Sequence, residues 1–225
     1  MTAPPPTYLD LAGWPRRDAF EYFRGFDKPF FNVCTRVDVA RLKQAVADTH
    51  VGSLALAYHF VALRLANALE PFRYRLEAQR VRVYPVVGGS TTVLRADGSF
   101  GFADFDHQAD FAAFAAPAAA AIAASRAGRA PFEPKPDDQA RIHFTTLPWL
   151  HFTSFSHARN WGREDSVPKL AFGRIDIDGA RAWMPLSVEV HHALMDGLHV
   201  GQFVQAFEAA LLEPQVWLDT PAASA

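Results

Sequence analysis

Residues 53–72 read SLALAYHFVALRLANALEPF, a run that is apolar nearly all the way round at helical spacing. A helix of this kind has no face to offer water, so the rest of the chain has to cover it; Pro71 ends it. The cover is written mostly as strands. PFFNVCTRVDV, YRLEAQRVRVYPVV, STTVLRADGSFGFADF, RIHFTTLPW, the short LHFTSF, KLAFGRIDI and ARAWMPLSVEVHH are rich in aromatic and β-branched residues. Asp97-Gly98 and Asp178-Gly179 offer tight turns between neighbouring segments. Further helices are expected after Pro15, with Phe20, Tyr22 and Phe23 recurring at helical spacing, over VARLKQAVADTH with Asp38 as N-cap, and over an alanine-rich stretch at about 108–127 that Pro117 should kink or divide. The last helix runs from Leu198 to about Leu212, with Phe203, Phe207 and Leu211 on one stripe. The fold class is therefore α/β, of the α+β two-layer kind: a mixed, largely antiparallel sheet with helices packed on it.

With 225 residues, half of them hydrophobic, the chain can bury a sizeable core, and it is read as a single domain over 1–225 with 1–8 and 214–225 loose. RAPFEPKPDDQA and SHARNWGREDS read as loops. A net charge of −2, from 22 basic and 24 acidic residues, gives no electrostatic reason to bind nucleic acid or an anionic membrane, and neither is expected as a partner. No uncharged apolar stretch reaches membrane-spanning length, and the first residues lack the pattern of a signal peptide. A lone cysteine, Cys34, excludes an intrachain disulfide, so a cytoplasmic location is the default.

The chemistry concentrates in VEVHHALMDGLHVGQF, residues 188–203, where a strand pattern gives way to a helix pattern. Two-residue alternation puts Val188, Val190 and His192 on one face and Glu189 and His191 on the other. His192 in such a place reads either as a hydrogen-bonded core residue or as a reactive group, and the carboxylate of Asp196 and the turn-permitting Gly197 favour the second. A metal site made of His192 and Asp196 at i, i+4 would need the helix to begin before Gly197, and there is no cysteine to help; no metal is expected. A hydrolase triad lacks a G-x-S-x-G elbow.

HHALMDGLHVGQF resembles the HHxxxDG signature of the chloramphenicol acetyltransferase family, which dihydrolipoamide acyltransferases and peptide-synthetase condensation domains share more loosely. GWPRRDAFEYFR, TTLPWLHFTSF and MPLSVEVHH resemble that family too, in order and spacing from about residue 8 to 213, which favours it over the other two.

The resemblance implies a coenzyme A-dependent O-acetyltransferase: acetyl-CoA as co-substrate, a small-molecule hydroxyl acceptor such as chloramphenicol, and a homotrimer with active sites between subunits. It makes His192 the general base, a role that suits imidazole with its ordinary pKa of about 6.5. It pairs Asp196 with Arg16 to hold the active-site backbone in shape, and it puts the oxyanion-binding hydroxyl on Thr145, with Thr146 facing the other way. Arg174 falls near the coenzyme's phosphates. Phe23, His143, Phe155, His157, Lys169 and Ala171 fall at substrate-binding positions; the family has aliphatic side chains where His157 and Lys169 stand and a threonine where Ala171 stands. Taken alone, Arg16 reads as a solvated helix-start charge, Thr145 as an ordinary strand residue and Arg174 as an exposed strand arginine. His191 and His199 read as supporting structure. The competing functions are a catalytically weakened protein of this type that binds a small ligand, and an acyltransferase acting on a lipoyl or carrier-protein thiol.

Overall fold

The computed structural model describes residues 6–49, 52–128, 138–160 and 164–218. In chain order its elements are β1 (Thr7–Tyr8), α1 (Arg17–Phe23), β2 (Phe30–Asp38), α2 (Ala40–Thr49), α3 (Leu54–Ala68), β3 (Tyr74–Glu77), β4 (Arg80–Val83), β5 (Gly88–Leu94), β6 (Phe100–Phe105), α4 (Phe111–Ala127), β7 (Arg141–Thr146), β8 (Lys169–Phe172), β9 (Asp176–Asp178), β10 (Arg181–His191), α5 (Gly197–Leu212) and α6 (Gln215–Leu218). Among the described residues the main sheet has seven strands, in the order β2-β10-β8-β7-β5-β6 with β9 also on β10, and a small sheet runs β1-β4-β3. β7 is parallel to both β5 and β8, and every other pair in the main sheet is antiparallel. The mixed, largely antiparallel sheet with helices packed on it is thus observed.

One face of the sheet is closed by α2, α3, α4 and α5. Alternation along β10 sends Ala182, Met184, Leu186, Val188 and Val190 to this side, all buried, against Phe60, Phe203 and Phe207 from the helices. α3 is buried over most of its surface, as its all-round apolar sequence requires, and Ser53 caps it by accepting the Leu56 N–H at 3.3 Å. Burying each large apolar side chain here stabilises the fold by about 1.5–3 kcal/mol. Asp38 starts α2 by accepting the Ala40 N–H at 3.0 Å.

Four local expectations change. α4 passes through Pro117 undivided: Pro117 and Ala113, whose carbonyl loses its partner, both lie on the exposed face, where water can take that carbonyl. KLAFGRIDI is two strands: the Gly173 N–H still donates to the Pro185 carbonyl at 2.9 Å, but the Arg174 N–H turns to the Leu150 carbonyl, and the chain leaves the ladder between β8 and β9. Leu150–Phe155 is not a strand; the Leu150 carbonyl accepts the Arg174 N–H at 2.8 Å, and the segment runs on as an irregular connection. The termini take part in the fold: Thr7 and Tyr8 pair with Val83 and Arg82, and Leu218 in α6 is buried. Residues 1–5 and 219–225, and parts of the two expected loops (129–137 and 161–163), lie outside the described residues.

The irregular connection matters most for the site. Because β7 and β8 are parallel neighbours, the chain must return from the end of one to the start of the other. Over its described residues it does so without a helix, across the face that the helices leave open, carrying His157 and Arg159 onto Glu189 of β10.

Candidate active site

His192 follows the last residue of β10, and its N–H donates to the Pro29 carbonyl at 2.7 Å, so the turn stays attached to the strand before β2. The ring is half-buried, with Phe23 of α1 stacked on it at 3.8 Å and 11° and Phe31 tilted against it at 4.7 Å. Nδ1 lies 3.2 Å from the Met195 carbonyl, which can only accept; the proton is therefore assigned to Nδ1, and Nε2 keeps its lone pair. Among the described residues nothing hydrogen-bonds Nε2. The corner thus holds one imidazole in a fixed orientation with one ring nitrogen unpaired among the described residues.

Arg16 and Asp196, 180 residues apart in sequence, meet beside it. One arm of the guanidinium donates to the Asp196 carboxylate, and the other donates to the His192 carbonyl at 2.9 Å, so a single side chain ties both ends of the turn. Asp196 is also the N-cap of α5, which begins at Gly197. Its carboxylate accepts the Leu198 N–H at 3.0 Å, and His199 Nδ1 accepts the Asp196 N–H at 3.1 Å, completing a capping box. Partial burial pushes the Asp196 carboxyl up, but the charge of Arg16 and the hydrogen bonds from Arg16 and Leu198 outweigh it and hold the group below the usual carboxylate range. Among the described residues, no group of three or more His, Cys, Asp or Glu side chains is arranged to hold a metal ion.

Thr145 stands elsewhere. Thr146 faces α3, 3.3 Å from the Tyr58 hydroxyl, so alternation turns Thr145 to the open face. Its partner across β8 is Ala171, fully buried, whose partner on β10 is Ser187. His192 is five residues beyond Ser187 and two strand spacings away, which separates the Thr145 and His192 backbones by roughly 20 Å. Within one chain the two cannot touch one acceptor atom.

The remaining candidates divide between these places. Phe23 belongs to the His192 corner. His143, Lys169 and Ala171 share the open face with Thr145, where His143 Nε2 is 3.1 Å from Asp138 and the Lys169 ammonium donates to the Ala158 carbonyl at 2.8 Å and lies 3.6 Å from Asp165. Phe155 meets the His157 ring edge-on at 4.7 Å, and the His157 N–H donates to Glu189 at 3.0 Å. Arg174 is 52% exposed and pairs with Asp176 at 3.1 Å, so its guanidinium can reach an anionic ligand.

Sequence reasoning missed Arg159. Its side chain, 2% exposed, donates to Glu189 at 2.7 Å and to Asp165 at 3.1 Å and covers the Phe30 ring at 3.9 Å. Burial pushes Glu189 up, but hydrogen bonds and charge from His157 and Arg159 outweigh this and bring it down to about 2. The sequence signal was the glutamate itself, flanked by buried valines in a strand.

A family model described as chloramphenicol acetyltransferase matches residues 6–208. The chain is 30% identical over 217 residues to the chloramphenicol acetyltransferase of Streptomyces acrimycini, covering 96% of this chain and 98% of that protein. It is 23% identical over 204 residues to chloramphenicol acetyltransferase 3 of Escherichia coli, covering 90% and 95% respectively. A solved chloramphenicol acetyltransferase superimposes with a TM-score of 0.80 at 26% identity, over 92% of this chain and 99% of that one. Sequence and fold agree over nearly the whole length, and the chain belongs to the chloramphenicol acetyltransferase family.

Proposed function

We propose that this protein moves an acetyl group from acetyl-CoA to a hydroxyl of a small molecule, of which chloramphenicol is the first to test, by direct transfer with His192 as general base. The observation that carries the reading is the His192 ring itself, fixed by Phe23 and by the Nδ1 contact to Met195, with Nε2 left free to take a proton. Nε2 removes the acceptor's hydroxyl proton as that oxygen attacks the thioester carbonyl. A tetrahedral intermediate forms, the carbon–sulfur bond breaks, and the proton on Nε2 passes to the departing thiolate. No acyl-enzyme forms. Thr145 donates a hydrogen bond to the oxyanion, Arg16 and Asp196 hold the turn that aims His192, and Arg174 meets a phosphate of the coenzyme.

His192 and Thr145 belong to one site only if two chains build it, and we assign the protein to a homotrimer whose sites lie between subunits. The separation within one chain supports this, as do exposed apolar side chains beside each half: Tyr22 and Phe26 near His192, and Leu94, Phe100 and Phe102 on the open face. The acetyltransferase acts in the cytoplasm as a single 225-residue domain in this reading. The test is thiol release from acetyl-CoA by the purified protein with a panel of hydroxylated acceptors that includes chloramphenicol. Release that depends on acceptor and is lost in His192→Ala is expected; release unchanged in that variant contradicts the reading.

A further inference from the structure

The face that presents Thr145 has a chemical pattern that composition does not reveal. Strand register lines up Asp104 on β6, Ser90 on β5, His143 on β7, Lys169 on β8, Glu189 on β10 and Asn32 on β2. All six are polar, and they form a ridge across the sheet. The adjoining row runs from Thr145 through Ala171 and Ser187 to Cys34, all small, and so forms a trough beside that ridge. The connection between β7 and β8 adds His157, whose side chain is 9% exposed; Nδ1 lies 3.5 Å from Glu189, and neither ring nitrogen has a hydrogen-bond partner among the described residues. Lys169 has three N–H donors; among the described residues its ammonium donates to the Ala158 carbonyl and lies 3.6 Å from the Asp165 carboxylate.

A ligand seated over this trough, with its reacting oxygen beside the oxyanion that Thr145 binds, has to cover polar groups that must not be left without partners. An aryl body gives them none. Lys169 is one strand across and two residues along from Thr145, about 8 Å at the backbone, a span that a six-membered ring bearing several hydroxyls can bridge with a hydrogen bond at each end.

We propose that the acceptor is a non-aromatic, hydroxyl-rich alcohol of the sugar or polyol type, and that Lys169, His143 and His157 select it by hydrogen-bonding its non-reacting hydroxyls. The proposal rests on the assignment of His192 and Thr145 to one acetyl-transfer site. Losing one such hydrogen bond at a buried donor corresponds to about a 10- to 100-fold loss in kcat/KM.

The test compares a methyl hexoside, myo-inositol and chloramphenicol as acceptors, read as acetyl-CoA-dependent thiol release by the full chain. The expected result is a kcat/KM for the hexoside or the inositol at least 10-fold above that for chloramphenicol. Lys169→Met should remove most of that preference by lowering the polyol value, Lys169→Gln, which keeps an N–H donor, should retain it, and thermal melts of both variants check folding. His192-dependent turnover of chloramphenicol without turnover of either polyol overturns this inference and leaves the acetyl-transfer reading standing, as does a preference that Lys169→Met leaves unchanged. Thiol release with none of the three overturns both.

Discussion

The His192 corner and the Thr145 face are built in opposite ways. At the corner every orienting group comes from the same chain: Phe23 and Phe31 fix the ring, the Met195 carbonyl fixes the proton, and Arg16 and Asp196 fix the backbone. On the open face the chain supplies a floor, a polar ridge and a buried ionic cluster under Arg159, and the two imidazoles there, His143 and His157, lie against Asp138 and Glu189. In the proposed reading one region is complete without its substrate and the other only against a second chain.

The contrast breaks most readily at the base. His192→Ala should lower kcat by about 10²–10⁴-fold with little change in the melting temperature, since the ring is held by the corner and does not hold it. Thr145→Ala should cost about 10²–10³-fold in kcat, with Thr145→Ser restoring most of it, while Thr146→Ala, which removes only the hydroxyl facing Tyr58, should leave kcat within about threefold. Equal effects of Thr145→Ala and Thr146→Ala would contradict the assignment of faces.

The two ionic devices should separate by stability. Arg159 and Glu189 are almost fully buried, so Arg159→Ala strands a carboxylate and should cost about 3–5 kcal/mol in urea unfolding. The Asp196 carboxylate keeps 38% of its exposure, and solvent screens it. Asp196→Ala should therefore cost less, about 1–2 kcal/mol, part of it from the lost helix cap, while the change in the His192 turn appears mainly in kcat.

The smallest effect is in pH. Burial, aided by the nearby Arg159 charge, lowers the His191 imidazole from 6.5 to about 4, so the folded state binds fewer protons than the unfolded chain in that window. Its contribution to stability is full above pH 6.5 and is lost as pH falls toward about 4. Glu189, brought down from 4.5 to about 2, extends the loss over that lower range. Urea midpoints at pH 7, 5 and 3 should fall in that order, and His191→Gln should shrink the first step; an unchanged first step contradicts the burial argument.

How much of this was legible depended on range in sequence. The α3 run had to be buried, and alternation in VEVHH assigned the two histidines to opposite faces, because both follow from local periodicity. The meeting of Arg16 with Asp196 spans 180 residues and entered only through family resemblance. Glu189 and Arg159 were illegible because the open face reads as solvent-facing until the β7–β8 connection is seen to cross it. Leu150–Phe155 looks like a strand for a related reason: its apolar alternation fits a covering segment equally well, and only pairing distinguishes the two.

The most direct test of a site shared between chains uses two inactive variants. His192→Ala and Thr145→Ala proteins are unfolded together in equal amounts, refolded and assayed for acceptor-dependent thiol release. Random assembly of a ring in which each site draws His192 from one chain and Thr145 from its neighbour restores about a quarter of the wild-type activity. Mixed assemblies that form yet show no more activity than either variant alone would contradict the account.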